Sequence, residues 1–214
     1  DPASFANANT HLPTTLASAH ARLPSSLSTD LEALTAAGGN AIHQVPLSRW
    51  NPAFTSPPAA RHGAFVAAAQ RFDTAFFGIS PAEAHATDPQ QRALLEIGYA
   101  SLHSGGERFG SLRAVDLGIF LGIMNADFAA LRRDDDSVYA AVGGTISIAA
   151  GRLSFALGTQ GPCVSIDTAC SSALVALRGA LDALGMGECE QALALAASLM
   201  LSPQTHDVYA RAGK

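Results

Sequence analysis

The stretch VSIDTACSSALVAL (164–177) sets Cys170 among small residues, where a short apolar run gives way to a helical pattern. Thiolate, not thiol, is the nucleophile. It forms most readily at a helix N-terminus, where unpaired N–H groups and the helix dipole favour negative charge. Ala169, Ser171, Ser172 and Ala173 are small enough to let a substrate carbonyl approach the sulfur. Backbone N–H groups of the same turn can stabilise the oxyanion that attack creates. The chemistry this pattern supports is acyl transfer through a cysteine on a strand–turn–helix elbow. The pattern alone leaves a second reading open, because cysteine is among the residues most often buried as a small hydrophobe. Cys163 and Cys189 lack the setting and read as filler of core or surface.

An elbow needs a strand before it and a helix after it. CVSID (163–167) reads as the strand. Leu174, Leu177, Leu181 and Leu184 share one helical face, which predicts a buried helix over 170–184, with Gly185 as its stop. Ala173, Ala176 and Ala180 widen that stripe. LGIFLGI (117–123) has the short apolar run of a buried strand, TISIAAGRLSFALG (145–158) reads as a short buried helix, and QALALAASLML (191–201) reads as a strand. Strand and helix signals alternate from residue 117 onward, the pattern of a layered α/β domain with a largely parallel sheet.

Upstream, residues 1–13 form a lead-in, and 28–39 read as a helix capped by Thr29 or Asp30. The proline-rich segment 43–63 reads as a long loop pinned by Trp50. Ser80, Pro81 and Glu83 form a capping box, and Asp88, Pro89 and Gln91 repeat the pattern before a helix with Leu94, Leu95, Tyr99 and Leu102 near one side. Phe72, Phe76 and Phe77 read as core, and RRDDDS (132–137) as a solvated loop.

The 214 residues are 48% apolar and 14% charged, which is apolar enough to build a core and too apolar for a disordered chain. A net charge of −5 implies no broad basic surface for nucleic acid. No run reads as a membrane span or a secretory signal. Three cysteines fit a reducing, cytoplasmic compartment and leave a plastid open; none has metal-site spacing.

DTACSSALVAL resembles the active-site signature of β-ketoacyl synthases, the ketosynthase domains of polyketide and fatty-acid synthases. RFDTAFFGISPAEAHATDPQQRALLE (71–96), GIFLGI (118–123), SIAAGRLSFALGTQGPCVSIDTACSS (147–172) and GECEQALALAASLMLSP (187–203) match the family in order and spacing, nearest to its modular polyketide type. ARLP (21–24) and VPLSRW (45–50) match its opening. The resemblance spans residues 14–214 and implies the N-terminal half of a thiolase-like layered α/β fold, a parallel-rich mixed sheet flanked by helices. Two departures stand out: TTLASAHA replaces a strongly apolar first strand, and Gly151 stands where asparagine is common.

The resemblance implies that Cys170 is the nucleophile and takes an acyl group from the phosphopantetheine thioester of an acyl carrier protein. It implies no directly bound cofactor, and no metal is expected. Decarboxylative Claisen condensation with a malonyl-type extender follows. The family's two catalytic histidines and a supporting lysine lie in its second half, so the chain is expected to stop before them. The resemblance also implies a homodimer. A catalytically incomplete half-domain serving in dimerisation or docking is the alternative. A cysteine hydrolase would need a partner histidine, and the sequence offers no pairing: six of its seven histidines precede Cys170, and His206 reads as an ordinary surface or interface residue.

Overall fold

The computed structural model describes residues 15–24, 36–54, 61–124, 126–132 and 137–212. The lead-in, residues 28–35 of the helix expected over 28–39 and most of the acidic loop fall outside these residues. In chain order the elements are β1 (His43–Gln44), β2 (His62–Gly63), α1 (Thr74–Phe77), α2 (Pro81–Ala86), α3 (Pro89–Ser104) and β3 (Leu117–Ile123). Then come α4 (Asp127–Leu131), α5 (Ala140–Gly143), α6 (Ala149–Leu157), β4 (Cys163–Ile166), α7 (Ser172–Met186), β5 (Gln191–Ala197) and α8 (Pro203–Arg211). They divide between two compact units. One contains Gly98–Ile123 and Ser147–Ala196, and the other His20–Ile97, Met124–Ile146 and the segment after residue 196.

The first unit is built on a three-stranded sheet in the order β4-β3-β5. β3 and β4 are parallel, with Ile119 opposite Cys163 and Gly122 opposite Ile166. Every residue of β3 is buried, as a central strand covered on both faces requires. Alternation along LGIFLGI puts Gly118, Phe120 and Gly122 on one face and the branched residues on the other. α7 lies on the glycine face. A Cβ on Gly122 would stand 2.6 Å from the backbone carbon of Ser172, and one on Gly179 would stand 3.2 Å from the Phe120 ring.

That close approach selects the small side of α7. Ala176, Ala180 and Ala183 are buried in a cluster with Phe120 and Cys189. The buried leucine face expected of this helix is not found: Leu174, Leu177 and Leu181 are 72%, 47% and 43% exposed, and only Leu184 packs against the cluster. The stop also moves, from Gly185 to Gly187, whose left-handed conformation (φ 69°) caps the helix and lets its N–H reach Leu184 O and Ala183 O. By length and composition alone, Ala169–Met186 is apolar enough to cross a membrane. Its alanines nevertheless face a sheet, and it carries an Arg178–Asp182 ion pair at 2.7 Å. It is a sheet-covering helix.

In the second unit, Ser80 Oγ accepts the Glu83 N–H at 3.1 Å and caps α2, whose first residue is Pro81, as the sequence predicts. Phe77 is buried, but Phe76 is 45% exposed and leaves the expected aromatic core. Residues 15–23 form no regular element, where the family resemblance places a first strand. Trp50 does pin its loop: its ring meets Phe65 edge-on at 5.7 Å and His206 at 5.8 Å. His206 Nε2 lies 2.9 Å from the carbonyl oxygen of His62, so that nitrogen carries the hydrogen and donates it.

α3 opens on a buried polar network. Asp88 Oδ1 accepts the Gln90 N–H at 2.7 Å, Gln90 Oε1 accepts the Leu199 N–H at 3.0 Å, and Gln91 Nε2 donates to Gly143 O at 3.1 Å. Burial pushes the Asp88 carboxyl up to about 6, against the opposing pull of the Gln90 bonds and Arg92, while Asp127 adds to the rise. The folded chain therefore keeps a proton that the unfolded chain releases above about pH 4. Stability should fall as pH rises from about 4 to about 6, by up to about 3 kcal/mol, and level off above that. Thermal melts from pH 4.5 to 7.5 check this: Asp88→Asn should flatten the decline, and an unchanged slope contradicts it.

Candidate active site

Cys170 lies in a 3-10 turn, Ala169–Ser171, between the end of β4 and the start of α7. It is exposed. The turn is unusual at Ala169, a non-glycine residue with φ 57°. An L-residue in this left-handed conformation costs roughly 1–2 kcal/mol, and such positions persist where the surroundings hold them.

Four polar residues flank Cys170 in the sequence, Asp167, Thr168, Ser171 and Ser172, and their side chains bond within this segment. Asp167 Oδ1 accepts the Ala169 N–H at 3.0 Å. Ser171 Oγ donates to Thr168 O at 2.8 Å and lies 2.9 Å from the Thr168 hydroxyl. Ser172 Oγ accepts the Thr168 N–H at 2.9 Å and donates to Ala169 O at 2.7 Å. Sequence reasoning read Ser171 and Ser172 as small neighbours that leave room for substrate. Their hydroxyls instead hold the backbone, a role foreshadowed only by the tendency of Ser, Thr and Asp to bond nearby main chain.

The other two thiols are placed differently. Cys189 is buried beside Phe120, and burial pushes its thiol up; Asp116 and Glu188 add to the rise, and a bond to the Gly118 backbone opposes it. Cys163, on β4, is exposed by area, yet partial shielding from solvent pushes its thiol up too. Among the described residues, no group of three or more His, Cys, Asp or Glu could hold a metal ion. His206, which belongs to the second unit, bonds to β2 and packs against Trp50.

A central buried strand, a helix seated on its glycines and a strained cysteine turn between a strand and that helix define a layered α/β domain of the nucleophile-elbow class. The family described as "Beta-ketoacyl synthase, N-terminal domain" matches residues 19–213, and the chain belongs to it.

Its relatives include the pikromycin polyketide synthase component PikAII of Streptomyces venezuelae, 40% identical over 204 residues, which are 89% of this chain and 6% of that protein. The erythronolide synthase EryA3 of Saccharopolyspora erythraea is 44% identical over 171 residues, 78% of this chain and 5% of that one. The ketosynthase from module 6 of the bacillaene synthase from Bacillus subtilis 168 superposes with a TM-score of 0.78 at 32% identity, covering 90% of this chain and 33% of the other. The chain thus spans about a third of that solved ketosynthase and a small fraction of the multidomain synthases. The fold is that of the thiolase-like ketosynthases.

Proposed function

We propose that Cys170 accepts an acyl chain from the phosphopantetheine thioester of an acyl carrier protein, for condensation in polyketide synthesis. The observation that carries this reading is the setting of Cys170, an exposed residue on a strained turn where the side chains of Asp167, Ser171 and Ser172 bond to the backbone of Thr168 and Ala169. The thiolate attacks the thioester carbonyl, the N–H of Cys170 itself is a nearby donor for the oxyanion, and the carrier thiol leaves with a proton. A malonyl-type extender then loses carbon dioxide. Its enolate carbon bonds to the acyl carbon, and Cys170 departs as thiolate, leaving a β-keto thioester on the carrier. Acyl acceptance needs only residues present here. Condensation calls for the two histidines that the family carries outside the part matched by these residues.

A second reading, a half-domain that dimerises or docks, is favoured by the open face of Leu174, Leu177 and Leu181. The two readings part at the thiols. If Cys170 is the nucleophile, limited iodoacetamide at pH 8 should label it before Cys163 and before the buried Cys189, whose thiols burial pushes up. Peptide mass mapping reads the order. Labelling of Cys170 no faster than the other two counts against the nucleophile.

A further inference from the structure

We propose that Ser172 is the positioning residue for Cys170, an inference that rests on reading Cys170 as the acyl acceptor. The residue that needs holding is Ala169, immediately before the cysteine, because its φ of 57° has no intrinsic support from an alanine side chain. A turn free to relax would return Ala169 to the right-handed or extended regions and swing the next residue, the nucleophile, away from the start of α7.

Of the four polar residues flanking Cys170, Ser172 alone is buried, and it alone closes a ring around Ala169. Its hydroxyl takes the Thr168 N–H on one side and gives its hydrogen to Ala169 O on the other. The Ser172 N–H meets the same Ala169 carbonyl, so that oxygen is held twice by one residue. Asp167 and Ser171 act at the exposed surface, where water competes for their bonds. The backbone of Ser172 also rests against Gly122 of β3, which fixes the anchor to the most buried strand of the unit. Ser172 therefore links a rigid strand to the strained residue, and through it to the sulfur.

The test reads the position of the sulfur rather than stability. In Ser172→Ala, Cys170 should react with iodoacetamide at pH 8 about tenfold more slowly, because a thiol's reactivity follows its local surroundings and its access to the reagent, and both change when the turn relaxes away from the start of α7. Labelling of Cys163, on β4, serves as the internal reference and should not change. Adding Ala169→Gly to that variant should restore most of the rate, because glycine holds a positive φ without help. Hydrogen exchange of the unmutated chain gives a second reading that needs no variant, and the Thr168 amide should be protected. A Cys170 rate within twofold of the original, equal slowing at Cys163, no recovery with Ala169→Gly, or an unprotected Thr168 amide would each overturn the proposal. Alkylation requires no acyl transfer. If the unmutated chain takes no acyl group from a thioester yet Ser172→Ala still slows alkylation, the acceptor reading fails and the positioning role stands.

Discussion

Cys170→Ala should fold as the parent does and lose all acyl acceptance. Cys170 is exposed, so its replacement should change stability by no more than about 0.5 kcal/mol. With the proposed nucleophile gone no covalent route is expected, and consumption of a short-chain acyl thioester should drop to the rate without protein. Cys163→Ala and Cys189→Ala should keep the activity. Cys189→Ala should melt earlier, because it vacates part of the cluster around Phe120. Free-thiol release from the thioester, followed alongside thermal melts, separates the two effects. Residual acceptance in Cys170→Ala, or its loss in Cys163→Ala, would move the nucleophile elsewhere.

The second large effect falls on a residue with no chemistry of its own. Gly122→Ala should destabilise the first unit by about 3 kcal/mol or more and blunt Cys170 as well. The new Cβ would lie 2.6 Å from the Ser172 carbon, 2.7 Å from its oxygen and 2.8 Å from the Ala173 nitrogen. These are all backbone atoms, so no rotamer change can relieve the clash, and strand and helix must part. Gly151 supplies the contrast. It sits in α6, and a methyl group added there would meet nothing within 4 Å, so Gly151→Ala should raise stability by about 0.5–1 kcal/mol through helix propensity. Denaturant unfolding of the two variants should move them in opposite directions. A Gly122→Ala chain as stable as the parent would show that α7 does not depend on this contact.

Much of the first unit was legible because its signals are local. The apolar run at 117–123, the strand ahead of Cys170 and the repeat of apolar residues after it each need only a few neighbouring positions to declare themselves, and all three elements are found. Which face of α7 turns inward was not legible. Leucine periodicity marks an apolar face, but the partner strand presents Gly118 and Gly122, and a close approach admits alanines in preference to leucines. The helix stop failed for a related reason: Gly185 and Gly187 look alike in sequence, and only the latter adopts positive φ. At the site, the cysteine and its small neighbours could be read from residue types. The positive φ at Ala169 could not, because alanine carries no preference for it, and without that strain the serines read only as small.

The most direct measurement is the location of an acyl group after the unmutated chain is incubated with an acyl thioester, read by peptide mass spectrometry. One added acyl group is expected, on Cys170, within the peptide that contains DTACSS. An intact chain with no adduct, or an adduct spread over Cys163 and Cys189 as heavily as Cys170, would contradict it.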